Sequence, residues 1–197
     1  DEDFLALAKK AGLEASVATL LYERGIQTKE DLEDFLEPKL EKLHDPYLLH
    51  DMDKAVERIR RAIEDYEQIL IYGDYDADNG VAGNQAIAMA QAMGVDVIVT
   101  DHHSMPEVLP DAYAIIHPEH PDADYPFHYL AGCGVAFKLA CALLEEVPVD
   151  LLDLVAIGTI ADMVSLTDEN RILVKYGLGV LQHTQRMGLQ ELLEIAG

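Results

Sequence analysis

"QILIYGDYDADNGVAGNQAIAMAQAMGVDVIVTDHH", Gln68 to His103, decides how the chain is read. Gln68–Gly73 is a short apolar run closed by glycine, the pattern of a buried strand. Val81–Gly94 has the length and spacing of a helix, with Gly94 as its stop. Val95–Thr100 is a second apolar run, and Ala112–His117 a third. Strand, helix and strand in that order imply a right-handed parallel crossover. The expected class is therefore α/β, a central parallel sheet flanked by helices.

Sites in open parallel sheets lie beyond the carboxyl ends of the strands. Asp74, Asp76 and Asp78 follow the first run at every second position, and Asp101, His102 and His103 follow the second. Like charges crowded this closely destabilise one another unless a cation sits between them. The aspartate run also suits a solvated turn, and a calcium-binding EF-hand loop is a second rival. With Asp74 as its first position, such a loop needs Gly at the sixth and Glu at the twelfth. Asn79 and Gln85 stand there, so the EF-hand fails. Neighbouring side chains on a strand point to opposite faces. One of the two imidazoles is thus expected to take metal, and the other to orient it or touch substrate. Carboxylates with imidazole suit Mn²⁺ or Mg²⁺ better than a closed structural zinc site. Asp162, after the apolar "AIGTIA", reads in isolation as a helix cap.

Working outward, the first third reads as a helical lead-in. Thr28 with Asp31 three residues on is a weak form of the capping box. Asp51 is the expected cap of a helix whose apolar face is Met52, Ala55, Val56, Ile59, Ala62 and Ile63. After Gly132 four helices are expected, at 135–145, 151–160, 169–183 and 189–195. "GCGVAF" places Gly132 and Gly134 at a helix start, where backbone N–H groups could meet a phosphate or where two helices could pack closely.

Composition bounds the function. The 197 residues carry a formal charge of −23 with only 14 Lys and Arg, an awkward balance for a polyanion binder. Bound cations or another domain would have to supply positive charge. No apolar run reaches the roughly 18 residues of a membrane span, and the first ten residues contain no signal-peptide core. Two cysteines, Cys133 and Cys141, have neither zinc spacing nor a disulfide framework, so a reducing cytoplasm is expected. The chain does not start with Met and reads as a fragment.

With these motifs in order, the chain resembles the DHH phosphoesterase superfamily, named for the triplet at Asp101–His103. Within it the blocks "IYGDYDAD", "VDVIVTDHH", "YPFHYLAGCGVAFKLA", "IGTIADMVSLTDENRILVKYGL" and "MGLQELLEIAG" are similar to the RecJ family of single-stranded-DNA exonucleases. The resemblance implies a metal-dependent 5′-to-3′ exonuclease of DNA repair and recombination. It implies Mn²⁺ or Mg²⁺, with two ions held by Asp76, Asp78, His102 and Asp162. His103, Asp101 and Asp74 would be catalytic or supporting groups; Gly132 and Gly134 stay candidate substrate contacts only on the helix-start reading above. Single-stranded DNA is the implied substrate, with a single-strand-binding protein and a helicase as partners. The implied division is a lead-in over 1–66 and a DHH catalytic domain over 67–197. Two other functions stay open: a DHH phosphodiesterase acting on short nucleotides, and a non-catalytic DHH-fold scaffold. The family's first motif is normally separated from its second by several dozen residues. Here "DAD" runs straight into "NGVAGNQAIA". Either a segment is missing near 78–79, or the protein lacks it together with one acid.

Overall fold

The computed structural model describes residues 2–71 and 80–196. Three short helices open the chain: α1 (Glu2–Lys10), α2 (Ala15–Glu23) and α3 (Lys29–Leu36). They close on a small core of their own, Phe4, Ala8, Ala18, Leu21 and Leu32. The capping box is complete. Thr28 accepts from the Asp31 amide at 3.1 Å and the Asp31 carboxylate accepts from the Thr28 amide at 2.9 Å, satisfying two orphan donors at the start of α3.

α4 (Met52–Glu64) joins a different core. Met52, Ala55 and Val56 pack with β2 (Ala114–Ile116), α6 (Gly132–Leu144), α7 (Leu152–Ala161) and α8 (Asp168–Leu181). Asp51 does not cap α4. It sits in the left-handed region at φ 55°, makes no side-chain cap bond, and accepts the Ile115 amide of β2 at 3.1 Å. The carboxylate is used for a tertiary tie, which local spacing could not announce. Ile63, expected on the buried face, is 61% exposed.

The parallel sheet exists, but among the described residues it has two strands. β1 (Ile98–Thr100) pairs with β2 in register Ile98–Ala114, Val99–Ile115 and Thr100–Ile116. These are the second and third of the expected runs. The first, Gln68–Gly73, is not a strand over 68–71, where Leu70 is 89% and Ile71 90% exposed; Tyr72 and Gly73 lie outside the described residues. The expected crossover therefore has no first strand to start from in what is described. α5 (Gly80–Ala92) does form, with Gly94 at φ 78° just past its end. The four expected C-terminal helices are α6, α7, α8 and α9 (Met187–Ala196). Among the described residues, no helix is long and apolar enough to cross a membrane.

Two close approaches set the helix layers behind the sheet. A Cβ on Gly158 of α7 would lie 2.7 Å from Cys133 Sγ of α6. A Cβ on Gly177 of α8 would collide with the Leu152 carbonyl and Ala156 of α7. Glycine lets the α7 and α8 backbones approach at Gly177, and at Gly158 it leaves room for the Cys133 side chain. A buried network ties the layers to the segment before α4. Lys138 of α6 pairs with Glu169 of α8, and both are essentially inaccessible. Tyr125 donates its hydroxyl to Glu169, and His44 donates its amide to Glu169 at 2.8 Å. Lys138 also donates to the His44 carbonyl at 2.6 Å. A buried ion pair needs such surrounding partners to offset its desolvation. The His44 ring is only loosely held: Nε2 lies 3.2 Å from Asp168 Oδ1, in ion-pair range but not aligned as a hydrogen bond.

Candidate functional site

β1 ends at Thr100 and the Asp101 amide still donates to the Ile116 carbonyl at 3.2 Å, but His102 and His103 lie past the strand where the chain bends. Strand alternation does not apply to them. The two imidazoles lie on the same side, with ring centroids 4.5 Å apart and planes tilted by 43°. Asp101 Oδ1 accepts from the amides of His102 at 2.7 Å and His103 at 3.1 Å, and from His103 Nδ1 at 2.8 Å. Burial pushes this carboxyl up, but the three donated hydrogen bonds outweigh it and hold it below the usual carboxylate range. Asp101 is thereby an anion that folds its own turn and keeps the His103 proton on Nδ1.

His102 points elsewhere. Its Nε2 lies 3.4 Å from Asp162 Oδ2. Asp162 occupies the C-terminal cap of α7, where the helix dipole disfavours an anion. It is therefore not placed there to stabilise the helix, and the group it faces across the crevice is the imidazole. Two donors each about 2.1 Å from one octahedral cation, at right angles, sit about 3 Å apart. The observed separation is close to that, so the pair fits a small divalent ion with little movement.

Gly132, the first residue of α6, lies directly over His102. A Cβ there would be 3.2 Å from His102 Cδ2. The helix start has Ala131 as its cap residue and no side-chain cap bond, which leaves its first amides for another acceptor. Gly134 is not in the crevice; its neighbour is Leu130, so close packing explains it. Cys133 is no ligand. Its Sγ faces the Val155 carbonyl and Thr159, and burial pushes the thiol up. A cleft of about 180 Å³ beside His102 is lined by Ser104, Glu119, His128, Tyr129 and Ser165. Asp74, Asp76 and Asp78 lie outside the described residues, so the site is built here from its second and third elements.

One residue of the site escaped the sequence reading. His117, at the end of β2, is 2% exposed, and its Nε2 donates to the His103 carbonyl at 2.7 Å. Its Nδ1 accepts the Glu119 amide at 3.0 Å, which fixes the tautomer. Burial pushes its pKa down, against the pull of the His103 carbonyl. His117 thus holds the backbone of the Asp-His-His turn from the neighbouring strand. The available signal was its place after the third apolar run, equivalent to the acids after the other two.

Residues 14–159 match the DHH family, N-terminal domain. The chain is 38% identical to the single-stranded-DNA-specific exonuclease RecJ of Bacillus subtilis, over 98% of its length and 31% of that protein's. It is 31% identical to RecJ of Dickeya dadantii, over 93% of this chain and 43% of that one. It spans less than half the length of these curated relatives. Among solved structures it is similar to RecJ from Thermus thermophilus in complex with Mn²⁺, with a TM-score of 0.74 and 27% identity. That similarity covers all of this chain and 36% of the other. The B. subtilis alignment runs over 245 residues, whereas 98% of 197 is about 193, so about 52 aligned positions have no counterpart here. The matched span takes in the Asp-His-His turn, the His117 tie and the start of α6 over His102, and on it this chain belongs to the DHH family.

Proposed function

We propose that this chain is part of the catalytic region of a metal-dependent exonuclease that hydrolyses phosphodiester bonds of single-stranded DNA from the 5′ end. The observation that carries the reading is the 3.4 Å approach of His102 and Asp162 beside an uncapped helix start, in a chain of the DHH family. His102 and Asp162, with Asp76 and Asp78, would hold Mn²⁺ or Mg²⁺, the ions in the solved RecJ structures. Bound divalent cations supply charge neutralisation at phosphate and a water acidified toward neutral pH.

The chain's own residues divide the remaining work. Asp101 keeps His103 oriented by taking its Nδ1–H, and in the doubly protonated ring the remaining Nε2–H can steady charge growing on a phosphate oxygen. The amides that open α6 offer hydrogen bonds to the same phosphate. Gly132 permits substrate to come close to His102, because no side chain stands between them. Asp74 would support the ion-holding acids. The charge of −23 places most DNA affinity outside this chain or on its cations.

Three finer readings belong with this one. The division into a lead-in over 1–66 and a catalytic domain over 67–197 remains our reading. A segment of roughly the aligned excess belongs near 78–79, supported by that excess and by the exposed Leu70 and Ile71. The biological setting is cytoplasmic DNA repair and recombination, alongside a single-strand-binding protein and a helicase.

His102→Ala in the intact protein tests the proposal. Release of nucleotides from 5′-labelled single strands in Mn²⁺ should fall below detection while the thermal midpoint moves little. Undiminished release would remove His102, and with it this site, from the reaction.

A further inference from the structure

The loop after β2 repeats itself: His117-Pro118-Glu119, then His120-Pro121-Asp122. Both repeats fold alike. The Glu119 amide donates to His117 Nδ1 at 3.0 Å, and the Asp122 amide donates to His120 Nδ1 at 3.2 Å. The first imidazole is committed, since its Nε2 holds the His103 carbonyl. The second meets a different neighbour. The rings of His120 and His50 stack at 3.7 Å with planes 3° apart. One ligand atom each from His50, His120 and Asp122 falls within 4.8 Å of the others.

We propose that His50, His120 and Asp122 form a second cation site, separate from the DHH crevice and selective for a zinc-class ion over Mg²⁺. Two imidazoles and one carboxylate with room for water are the donor set of open zinc sites, whereas Mg²⁺ demands oxygen. Two imidazolium cations would not stack this closely, so at least one ring is neutral, the form that carries a lone pair. Burial, then the His50 ring, pushes the His120 pKa down. Asp122 and Asp51 oppose that shift, and His117 adds a little to it.

The segments that meet here are already held together. The Asp51 tie to Ile115 places His50 against the loop, and His50 Nε2 lies 3.5 Å from Asp51 Oδ1. Binding requires two adjustments. The exposed Asp122 segment draws its amide away from His120 Nδ1, giving up one long hydrogen bond and freeing that lone pair for the ion. The His50 ring must also tilt out of the stack, because lone pairs lie in the ring planes and two parallel rings cannot both aim at one ion. Asp122 is exposed and His50 half-buried, so both can move while the buried His120 stays. An ion bound there fastens the turn before α4 to the loop that carries His117.

The test uses the full chain in saturating Mg²⁺, which occupies the carboxylate-rich crevice, and titrates Co²⁺ while following its ligand-field absorption. One Co²⁺ per chain should bind and be displaced by Zn²⁺. His50→Ala and Asp122→Asn should each weaken binding about 100-fold, at the upper end of what losing even an outer-shell partner does to a metal site. The His102→Ala/Asp162→Asn pair should leave it unchanged. Three results would overturn the proposal: no uptake, equal uptake in His50→Ala and Asp122→Asn, or loss of uptake in the crevice pair. Melting curves confirm that each variant is folded; His50 and Asp122 carry the test because His120 is buried and its ring holds the loop's own Asp122 amide. Hydrolysis of single-stranded DNA in Mg²⁺ alone is measured in parallel. Its absence would undo the exonuclease reading and leave this result standing.

Discussion

Two apolar runs that end in aspartate meet opposite fates in this molecule. "VDVIVTD" supplies β1, pairs in parallel with β2 and delivers His102 to Asp162. "QILIYGD" leaves Leu70 and Ile71 about nine-tenths exposed, and nothing among the described residues pairs with 68–71. The local patterns are nearly the same, so the difference lies in the partner. β1 has Ala114–Ile116 beside it and α6 behind it; among the described residues, 68–71 have no strand beside them. A strand is stable only as part of a packed sheet, and an apolar run without neighbours is merely apolar.

The largest effect should come from the well-packed side. Glu169→Ala leaves Lys138 buried and strips Tyr125 and His44 of their acceptor, which should cost about 3–5 kcal/mol. Denaturant midpoints measure it. A loss under about 1 kcal/mol would mean that the packing around α6 and α8 is far looser than described. His117→Asn comes next. Losing the bond to the His103 carbonyl should cost about 1–3 kcal/mol and weaken the Mn²⁺-induced rise in melting temperature. A full metal response in that variant would separate the DHH turn from β2. The smallest effect belongs to the exposed run. Leu70→Ser should change stability by no more than about 0.5 kcal/mol, as at any solvated position. This variant can also break the comparison. A loss of 2 kcal/mol or more would show Leu70 buried in the working protein, where its run would be the strand that its pattern suggests.

Much of the site was legible because chemistry and punctuation coincide in the sequence. The imidazoles placed just past the second apolar run locate the crevice through a rule about strand ends, whereas the aspartates after the first lie outside the described residues. The capping box at Thr28 and the stop at Gly94 follow from local hydrogen bonding and backbone sterics. Other features were not legible. Asp51 looks like a cap and is a tie to β2, because its partner amide is 64 positions away. His117 looks like the end of a strand and is the brace of His103.

The sequence by itself determined the helices, the Thr28 capping box and the residue types that could hold a cation, since each depends on neighbours within about one helical turn. Tertiary structure decided which apolar run became a strand and that both imidazoles share one side of a turn. It also decided that Gly132 covers His102 while Gly134 only packs, and that His50 meets His120. Those outcomes depend on which distant segments come within a few ångströms, and a periodic pattern contains no information about its partner.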